Sequence, residues 1–271
     1  MPELPEAETT RRGIEPHVTG RRITRVKVRQ PALRWPVPTD LAKRLAGGRV
    51  ASLGRRGKYL LLNTTRGTVI LHLGMSGSLR IVDEKLPPGP HDHVDIGFSG
   101  GTLLRLRDPR RFGAVLWGGD DSSRHPLLRD LGPEPLEDDR LGATLWQVSR
   151  GRRVAVKNFL MNARVVAGVG NIYASEALFA AGIHPSRVAG RIGESRYDLL
   201  AEALRSVLSE AIEAGGTTLR DFVREDGRPG YFRISLKVYG RAGEPCTGCG
   251  GAIRLLRLGQ RSSFYCPACQ R

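Results

Sequence analysis

The stretch CTGCGGAIRLLRLGQRSSFYCPAC, residues 246–269, predicts the fold at the C-terminal end of this 271-residue chain. It contains two Cys-x-x-Cys arms, at Cys246/Cys249 and Cys266/Cys269, with sixteen residues between them. Each arm suits a tight turn, and the intervening length suits a β-hairpin that brings the two turns together. Four thiolates then complete a closed tetrahedral zinc site, which has no open position for substrate and is therefore structural. Disulfide bonding or redox chemistry is the alternative, but this spacing favours zinc.

The charge around this module points to a polyanionic partner. Residues 232–271 contain seven Lys or Arg residues and a single acid, Glu244. The whole chain has 43 basic and 27 acidic residues, which gives a formal charge of +16. Nucleic acid is the leading candidate for the partner. A membrane surface is less favoured, because no helical stretch combines a basic face with an aromatic-rich apolar face. A basic protein without any polyanionic partner is the third alternative.

The sequence also indicates the cellular compartment. The N-terminus lacks the apolar segment of a signal peptide, and no apolar run reaches membrane-spanning length. All four cysteines lie in the last 26 residues, with none elsewhere to form a disulfide framework. We therefore expect a reducing, cytoplasmic location.

Upstream of the zinc module, hydrophobic periodicity predicts a β-rich part followed by a helical part. Glu3–Val18 is predicted to be a helix that Pro2 and Pro5 help to start. Eight short apolar runs then predict the strands of a β-sandwich or barrel: Arg22–Val28, Arg49–Leu53, Tyr59–Asn63, Thr68–Leu73, Ser78–Val82, His93–Phe98, Thr102–Arg107 and Ala114–Trp117. After an acidic linker, Gly118–Leu141, helices are predicted at Val154–Ala163, Asn171–Ala181 and Ser195–Ala214, with a helical turn at Thr218–Phe222.

A glycine-rich joint between two of these helices suggests an anion site. Gly168 and Gly170 permit a sharp turn and the close approach of another backbone. Asn171 is expected to be the N-cap of the next helix, whose free N–H groups and positive dipole can hold a phosphate. An ordinary capped helix joint is the alternative, and the net charge of the chain adds weight to anion binding.

The opening residues, Met1-Pro2-Glu3-Leu4-Pro5-Glu6, can be read in two ways. They fit a plain helix start with acids that complement the helix dipole. They also fit amine catalysis, because removal of Met1 would expose a secondary amine on Pro2. Such an amine can attack a sugar C1′ and form an iminium, which acidifies C2′ and leads to β-elimination. Glu3 could supply and later remove protons, and Glu6 could orient the amine.

Together, these motifs resemble the bacterial formamidopyrimidine-DNA glycosylase family over essentially the whole chain. The matching segments are MPELPEAET at 1–9, GRRGKYLLL at 54–62, HLGMSG at 72–77, HDHVD at 91–95, DPRRFGA at 108–114, VVAGVGNIYASEALFAAGIHP at 165–185, DGRPGYF at 226–232 and the cysteine module. The resemblance implies a monomeric repair enzyme that binds damaged double-stranded DNA and excises oxidised purines, with β,δ-elimination at the abasic site. It implies no cofactor beyond one structural zinc ion, and DNA that bends across a cleft between two lobes.

The resemblance also implies residue roles in the chemistry. Pro2 would be the Schiff-base nucleophile and Glu3 the general acid and base, with Glu6 assisting the amine. Lys58 would contact a phosphate beside the lesion and assist β-elimination. Arg261 would hold the lesion phosphates and assist δ-elimination.

Other residues are assigned to DNA by the same resemblance. Met75, Arg110 and Phe112, here called the wedge, would fill the gap left by the everted nucleotide, and Arg110 would bond the orphaned cytosine. Phosphates would be held by His91, Arg152 and Asn171. Lys157 and a lid loop, Glu225–Phe232, would lie near the everted base. Two departures from the family pattern are Pro90, where a basic residue is common, and Arg233-Ile234-Ser235 after the lid.

The predicted architecture is therefore α+β and multidomain. Residues 1–130 form a catalytic β-sandwich with flanking helices, residues 131–236 a helical domain with a helix-two-turn-helix, and residues 237–271 a zinc finger. Two other functions remain open: a glycosylase of the same fold that acts on oxidised pyrimidines, and a non-catalytic zinc-containing DNA-binding protein. The Leu4-Pro5-Glu6-Ala7 opening and the intact wedge favour the purine enzyme.

Overall fold

The computed structural model describes residues 2–216 and 236–271. The chain divides into two compact units, one built mainly on residues 2–130 and the other on residues 131–213 with 236–271. Met1, the predicted turn Thr218–Phe222, the predicted lid loop Glu225–Phe232 and Arg233–Ser235 lie outside the described residues.

The first unit contains two four-stranded antiparallel sheets, and the predicted sandwich is confirmed. Its elements in chain order are α1 (Leu4–Val18), β1 (Ile23–Val28), α2 (Leu41–Leu45), β2 (Val50–Arg56), β3 (Tyr59–Thr64), β4 (Gly67–His72), β5 (Ser78–Asp83), β6 (Asp92–Phe98), β7 (Thr102–Arg107) and β8 (Ala114–Gly119). One sheet has the order β1-β6-β7-β5, and the other has the order β2-β3-β4-β8.

The core of this unit forms because alternate strand residues point inward. Leu60 and Leu62 of β3 join Leu104 and Leu106 of β7 in one buried cluster, so both sheets contribute to it. Ile14 and two further apolar residues of α1 enter the same cluster. The helix is therefore packed on the sandwich, and its first turn is held in a fixed place beside the β2–β3 hairpin.

Two loops of the sandwich lie side by side. The β4–β5 loop (residues 73–77) and the β7–β8 loop (residues 108–113) both cross from one sheet to the other. At one end of the pair His72 is in register with Ala114, and at the other end Ser78 is in register with Arg107. Because both ends are paired, the two loops must follow each other across the edge of the sandwich.

The second unit is helical. It contains α3 (Leu141–Ser149), α4 (Val156–Leu160), α5 (Asn171–Ala180) and α6 (Glu194–Gly216), followed by a hairpin of β9 (Arg254–Leu258) and β10 (Arg261–Tyr265). The helices share one buried core. Within the described residues, no helix is both long enough and apolar enough to cross a membrane.

Three helices differ from the sequence prediction. α2 (Leu41–Leu45), in the first unit, was not predicted. α3 was not predicted, and its nine residues contain only two fully buried leucines, Leu141 and Leu145, one turn apart. α4 is shorter than predicted, because Ala155 forms a β-bridge with Val188 before the helix. After it, the Asn162 side chain accepts from the backbone N–H of Arg164 and turns the chain away.

Candidate active site and zinc centre

The first turn of α1 holds the predicted catalytic glutamates in a reciprocal capping box. Glu3 is the N-cap residue, and its carboxylate accepts from the backbone N–H of Glu6. The Glu6 carboxylate accepts from the backbone N–H of Glu3 at 2.8 Å. This arrangement satisfies two helix-terminal donors and sets the direction of the chain next to Pro2. Glu3 is buried, whereas Pro2 is half-buried and retains solvent access.

Lys58 lies in the two-residue turn between β2 and β3. Arg56 pairs with Tyr59 across this turn. Gly57, the other turn residue, has a φ of 56°, in the left-handed region that favours glycine. The tight turn therefore presents Lys58 at the tip of the hairpin, half-buried and at the end of the sheet.

A buried arginine connects this hairpin to α1. Arg55 donates to the carbonyl of Gly57 at 3.0 Å and to the carboxylate of Glu8 at 3.1 Å. Burial acts to raise the pKa of Glu8, but hydrogen bonds from Arg11 and Arg12 and nearby guanidinium charges lower it to about 2. Glu8 is thus ionised at neutral pH, and the helix that follows the predicted nucleophile is tied to the turn that carries the predicted phosphate-binding lysine.

His72 is a candidate that sequence reasoning did not single out, although it opens one of the matching motifs. It is half-buried at the end of β4, with its ring centroid 4.8 Å from that of Tyr59. Its Nδ1 accepts from the backbone N–H of Gly74 at 3.0 Å, so the neutral ring carries its proton on Nε2. Burial and the charges of Lys58 and Arg34 lower the pKa of His72 to about 4. His72 is therefore a neutral donor at physiological pH.

The three wedge residues lie together at the tips of the two adjacent loops. Met75 and Phe112 are each 41 % exposed, so both large apolar side chains reach the surface. The guanidinium of Arg110 lies 5.0 Å from the centroid of the Phe112 ring. Gly74 makes the close approach possible, because a Cβ there would lie only 2.3 Å from the carbonyl carbon of Phe112. The wedge is thus a preformed apolar and cationic projection.

His91 and Arg152, predicted to hold phosphates, lie in different units. His91 precedes β6, is half-buried, and accepts at its carbonyl from the backbone N–H of Asp108 at 3.0 Å. Pro90 before it is exposed and offers no charge. Arg152 is exposed in the turn between α3 and α4, where its carbonyl accepts from the backbone N–H of Gly190.

Asn171 is the first residue of α5 and not its N-cap, which corrects the sequence prediction. Gly170 takes the cap position with an extended backbone (φ −129°), because a close turn with Gly168 in the left-handed region precedes it. The Asn171 side chain donates to the hydroxyl of Tyr239 at 3.4 Å. Its side-chain oxygen is buried and has no partner within the described residues. The backbone still turns sharply here, as the anion-site interpretation requires.

A buried carboxylate holds the segment that supplies Tyr239. Glu176 accepts from the backbone N–H groups of Lys237, Val238 and Tyr239 at 2.8 to 3.0 Å. No sequence signal indicates this contact, because the partners are more than sixty residues apart. Glu176 thus fixes the chain beside Asn171.

Lys157 is fully buried and faces the zinc hairpin. Its ammonium donates to the carbonyl of Ser262 at 2.9 Å and to the hydroxyl of Ser263 at 2.8 Å. Arg261 precedes these two serines and is exposed at the start of β10. Gly259 and Gln260 form the hairpin turn with φ of 49° and 68°, as in a type I′ turn. The turn and Lys157 therefore hold Arg261 at the hairpin tip from both sides.

The four cysteines form one cluster, as predicted. Their sulfurs all lie within 4.8 Å of one another, and none is in a disulfide. The Cys249 and Cys266 sulfurs are 3.4 Å apart, and those of Cys246 and Cys269 are 3.8 Å apart. Four thiolates bound to zinc at about 2.3 Å would be spaced by about 3.8 Å, so the arrangement fits one tetrahedral ion. Every position is taken by sulfur, and the zinc is therefore structural.

Comparisons with known proteins cover nearly the whole chain. Family profiles match residues 1–115 (formamidopyrimidine-DNA glycosylase N-terminal domain), 131–223 (formamidopyrimidine-DNA glycosylase H2TH domain) and 243–271 (zinc finger found in FPG and IleRS). The formamidopyrimidine-DNA glycosylase of Methylococcus capsulatus is 60 % identical over 271 residues, with 100 % of both chains covered. That of Nitrosococcus oceani is 59 % identical over 270 residues, again with 100 % coverage of both.

Solved structures show the same similarity. The MutM (Fpg) protein of Thermus thermophilus superposes with a TM-score of 0.84 at 40 % identity, covering 99 % of this chain and 98 % of that one. A mutant of the Lactococcus lactis Fpg, in complex with DNA containing Fapy-dG, superposes with a TM-score of 0.89 at 33 % identity and 100 % coverage of both chains.

Proposed function

The chain belongs to the formamidopyrimidine-DNA glycosylase family, and from that premise we propose that Pro2 is its nucleophile. The enzyme is a base-excision-repair glycosylase for oxidised purines that also cleaves at the resulting abasic site. The observation that carries the nucleophile assignment is the capping box, which places Glu3 and Glu6 beside a solvent-accessible residue 2. Removal of Met1 would convert the nitrogen of Pro2 into a secondary amine.

The amine of Pro2 would attack C1′ of the damaged nucleoside. An α-amino group titrates near 8, so a useful fraction is neutral at physiological pH. The C1′–N bond to the base breaks, and the base leaves with a proton. Opening of the sugar ring gives an iminium between Pro2 and C1′, which is the Schiff base. The positive iminium acidifies the C2′ hydrogen and so prepares the elimination that follows.

Glu3 would serve as the proton carrier for these steps. Its carboxyl can protonate the sugar ring oxygen as the ring opens and later remove the C2′ proton. Burial and the backbone hydrogen bond from Glu6 hold this side chain in one orientation. The Glu6 carboxylate accepts from the backbone N–H of Glu3, so it would orient the amine through the chain next to it.

Lys58 and Arg261 would assist cleavage of the strand. The ammonium of Lys58 can bind the phosphate that leaves in β-elimination, and the guanidinium of Arg261 can bind the phosphate that leaves in δ-elimination. The hairpin turns that carry them are each fixed by a buried cation: Arg55 bonds the Gly57 carbonyl, and Lys157 bonds β10. Both phosphate-binding side chains are therefore supported from behind.

The wedge would replace the everted nucleotide in the stack. Exposed Met75 and Phe112 offer apolar surface that offsets the unstacking of the duplex, which costs a few kcal/mol. The Arg110 side chain carries only hydrogen-bond donors. These match the O2 and N3 acceptors of an orphaned cytosine better than the edge of adenine, which presents both a donor and an acceptor. This preference would select lesions paired with cytosine.

The remaining predicted residues would bind the DNA backbone. Arg152 and His91 would hold phosphates by charge or hydrogen bond, and Asn171 would do so at the start of α5 with the helix N–H groups. His72 extends this set as a neutral donor. Binding of this kind would associate the enzyme with the bacterial nucleoid.

The zinc ion would have a structural role. Cys246, Cys249, Cys266 and Cys269 would hold it, and it would supply a crosslink that closes the hairpin. In this arrangement Lys157 supports the strand that carries Arg261. Its full burial makes this indirect role more favourable than direct contact with the everted base.

Borohydride trapping on a duplex with 8-oxoguanine opposite cytosine tests the nucleophile. A covalent adduct should form with the mature protein and be lost in Pro2→Gly or when Met1 is retained. Lys58→Ala should still trap but cleave the strand poorly. Equal trapping with Met1 in place would disprove the assignment of Pro2. A DNA-binding protein without activity would bind the duplex yet trap in neither form.

A parallel assay separates the purine enzyme from the pyrimidine one. Duplexes with 8-oxoguanine and with an oxidised pyrimidine are compared at equal enzyme concentration. Faster release of the purine is expected, because the relatives that match at about 60 % identity are formamidopyrimidine-DNA glycosylases.

A further inference from the structure

We propose that Asp108 is a positioning residue for the wedge and sets its geometry for the orphaned base. Asp108 is completely buried, with 0 % of its surface exposed, although it lies at the start of the exposed β7–β8 loop. A buried carboxylate is costly unless each oxygen is bonded. The inference rests on the proposed function of the wedge and identifies what holds it in place.

The Asp108 carboxylate bonds both loops that carry the wedge. Its Oδ1 accepts from the hydroxyl of Ser76 at 2.8 Å, in the loop that bears Met75. Its Oδ2 accepts from the backbone N–H of Gly113 at 2.7 Å, next to Phe112. One side chain therefore links the two loops across the gap between them.

The same carboxylate reaches the residue expected to read the orphaned base. The backbone N–H of Arg110 lies 3.3 Å from Oδ1 of Asp108 and 3.3 Å from the hydroxyl of Ser76. Arg111, which follows, has a left-handed backbone (φ 57°), a strained conformation for a residue with a side chain. Its N–H donates to the Asp108 carbonyl at 3.2 Å. These bonds hold the turn that directs the Arg110 side chain outward.

The backbone of Asp108 adds two further connections. Its N–H donates to the carbonyl of His91 at 3.0 Å. Its carbonyl lies 2.8 Å from Nε2 of the buried ring of His93. Asp108 therefore bonds segments that carry all three wedge residues and a predicted phosphate-binding histidine, while being too deeply buried to touch DNA itself.

The chain offers variants that separate positioning from general stability. Asp108→Asn keeps the shape but places its amide donor against a backbone N–H, that of Gly113 or that of Arg110. Ser76→Ala removes one bond to the carboxylate, and Ser76→Thr restores the hydroxyl. Asp95→Asn is the matched control, because Asp95 is also buried and bonds two arginines, Arg29 and Arg105, that lie in neither loop.

The measurement is the ratio of kcat/KM for 8-oxoguanine opposite cytosine to that opposite adenine, with unfolding by urea recorded in parallel. Asp108→Asn and Ser76→Ala should lower this ratio at least about five-fold, since a misdirected wedge loses the bonds that discriminate. Ser76→Thr should recover it, and Asp95→Asn should lose stability but keep the ratio within about two-fold.

Arg110→Ala distinguishes failure of this inference from failure of the wedge. If Arg110→Ala lowers the ratio while Asp108→Asn and Ser76→Ala leave it at the wild-type value, Asp108 has only a structural role and the inference is wrong. If Arg110→Ala also leaves the ratio unchanged, the wedge does not read the opposite base, and the inference falls with it. Borohydride trapping by the wild type reports the Pro2 chemistry independently of either result.

Discussion

At the scale of single residues, the polar side chains that matter most in this protein are buried ones. Asp108 and Lys157 are buried and bond the chain at or next to a predicted DNA contact, Arg110 or Arg261. Glu176 is also buried and bonds the segment that supplies Tyr239, the partner of Asn171. Their residue types gave little warning, because Lys, Asp and Glu are almost always exposed unless they are paired. Arg110 and Arg261 were easier to predict, because they lie in segments that match the family, and both are exposed enough to reach a base or a phosphate.

His72 should make stability depend on pH. Its pKa is about 4 in the folded protein, below the ordinary value of 6.5, so folding opposes its protonation. The resulting stability is present above pH 6.5 and is lost as the pH falls toward 4. Between pH 7 and pH 5 the loss should be about 2 kcal/mol. Urea unfolding at both pH values should show that His72→Gln removes this part of the dependence. An unchanged pH dependence in the variant would contradict the assignment.

Lys157→Met should act on DNA binding through Arg261. The variant keeps an unbranched side chain only one atom shorter, but it removes the buried donor to the Ser262 carbonyl and the Ser263 hydroxyl. Unfolding free energy should fall by about 2 kcal/mol. The Kd for a lesion duplex should rise in both Lys157→Met and Arg261→Ala. The double variant should show little further loss of affinity. Lys43→Met, at an exposed position in α2, is the control. Fully additive losses would instead indicate direct contact of Lys157 with DNA.

At the scale of elements, the strands of the sandwich were predicted, whereas α2 and α3 were not and α4 was predicted too long. Each of the eight predicted strands is present, and Thr102–Arg107 has the predicted bounds. Apolar and polar residues alternate along a strand because one of its faces is buried. This alternation is visible within a few residues, so it is a local signal. α3 and α4 have nine and five residues, too few turns to establish a periodic stripe. Their existence depends on packing against the rest of the helical core.

The capping box of α1 can be tested by two substitutions at one position. Glu6→Ala removes the acceptor for the Glu3 backbone N–H and should cost about 1 kcal/mol of stability. The first turn should then fray, and the yield of the borohydride adduct should fall. Glu6→Gln keeps an acceptor and should lose less of both. Equal losses in the two variants would mean that the negative charge of Glu6, and not its hydrogen bond, supports the amine.

At the scale of the whole molecule, a formal charge of +16 provides a long-range attraction for DNA. Charge alone could not separate a DNA-binding protein from an enzyme. The comparisons do separate the two. Three family profiles match along the chain, and full-length relatives that are glycosylases are about 60 % identical to it.

The salt dependence of binding should report the predicted phosphate contacts. The logarithm of the binding constant, log Kobs, should fall linearly with the logarithm of the salt concentration. The slope should be about −3 or steeper if Lys58, Arg152 and Arg261 each bind a phosphate. Arg152→Ala should reduce the slope by about 1, whatever the sequence of the duplex. Arg124→Ala, at an exposed arginine paired with Asp121, should leave the slope unchanged. If Arg152→Ala has the same slope as the wild type, Arg152 does not bind a phosphate.

The sequence alone was sufficient to predict the zinc ligands, the start of α1, the succession of strands along the chain and the family. Each of these rests on residues close together in the chain or on motifs in a set order, where spacing translates directly into geometry. Only the tertiary structure could reveal that Asp108 bonds Ser76 across 32 residues or that Lys157 bonds Ser263 across 106. Such bonds depend on how loops and hairpins pack once the sheets are in register, and no local pattern of residues encodes that arrangement.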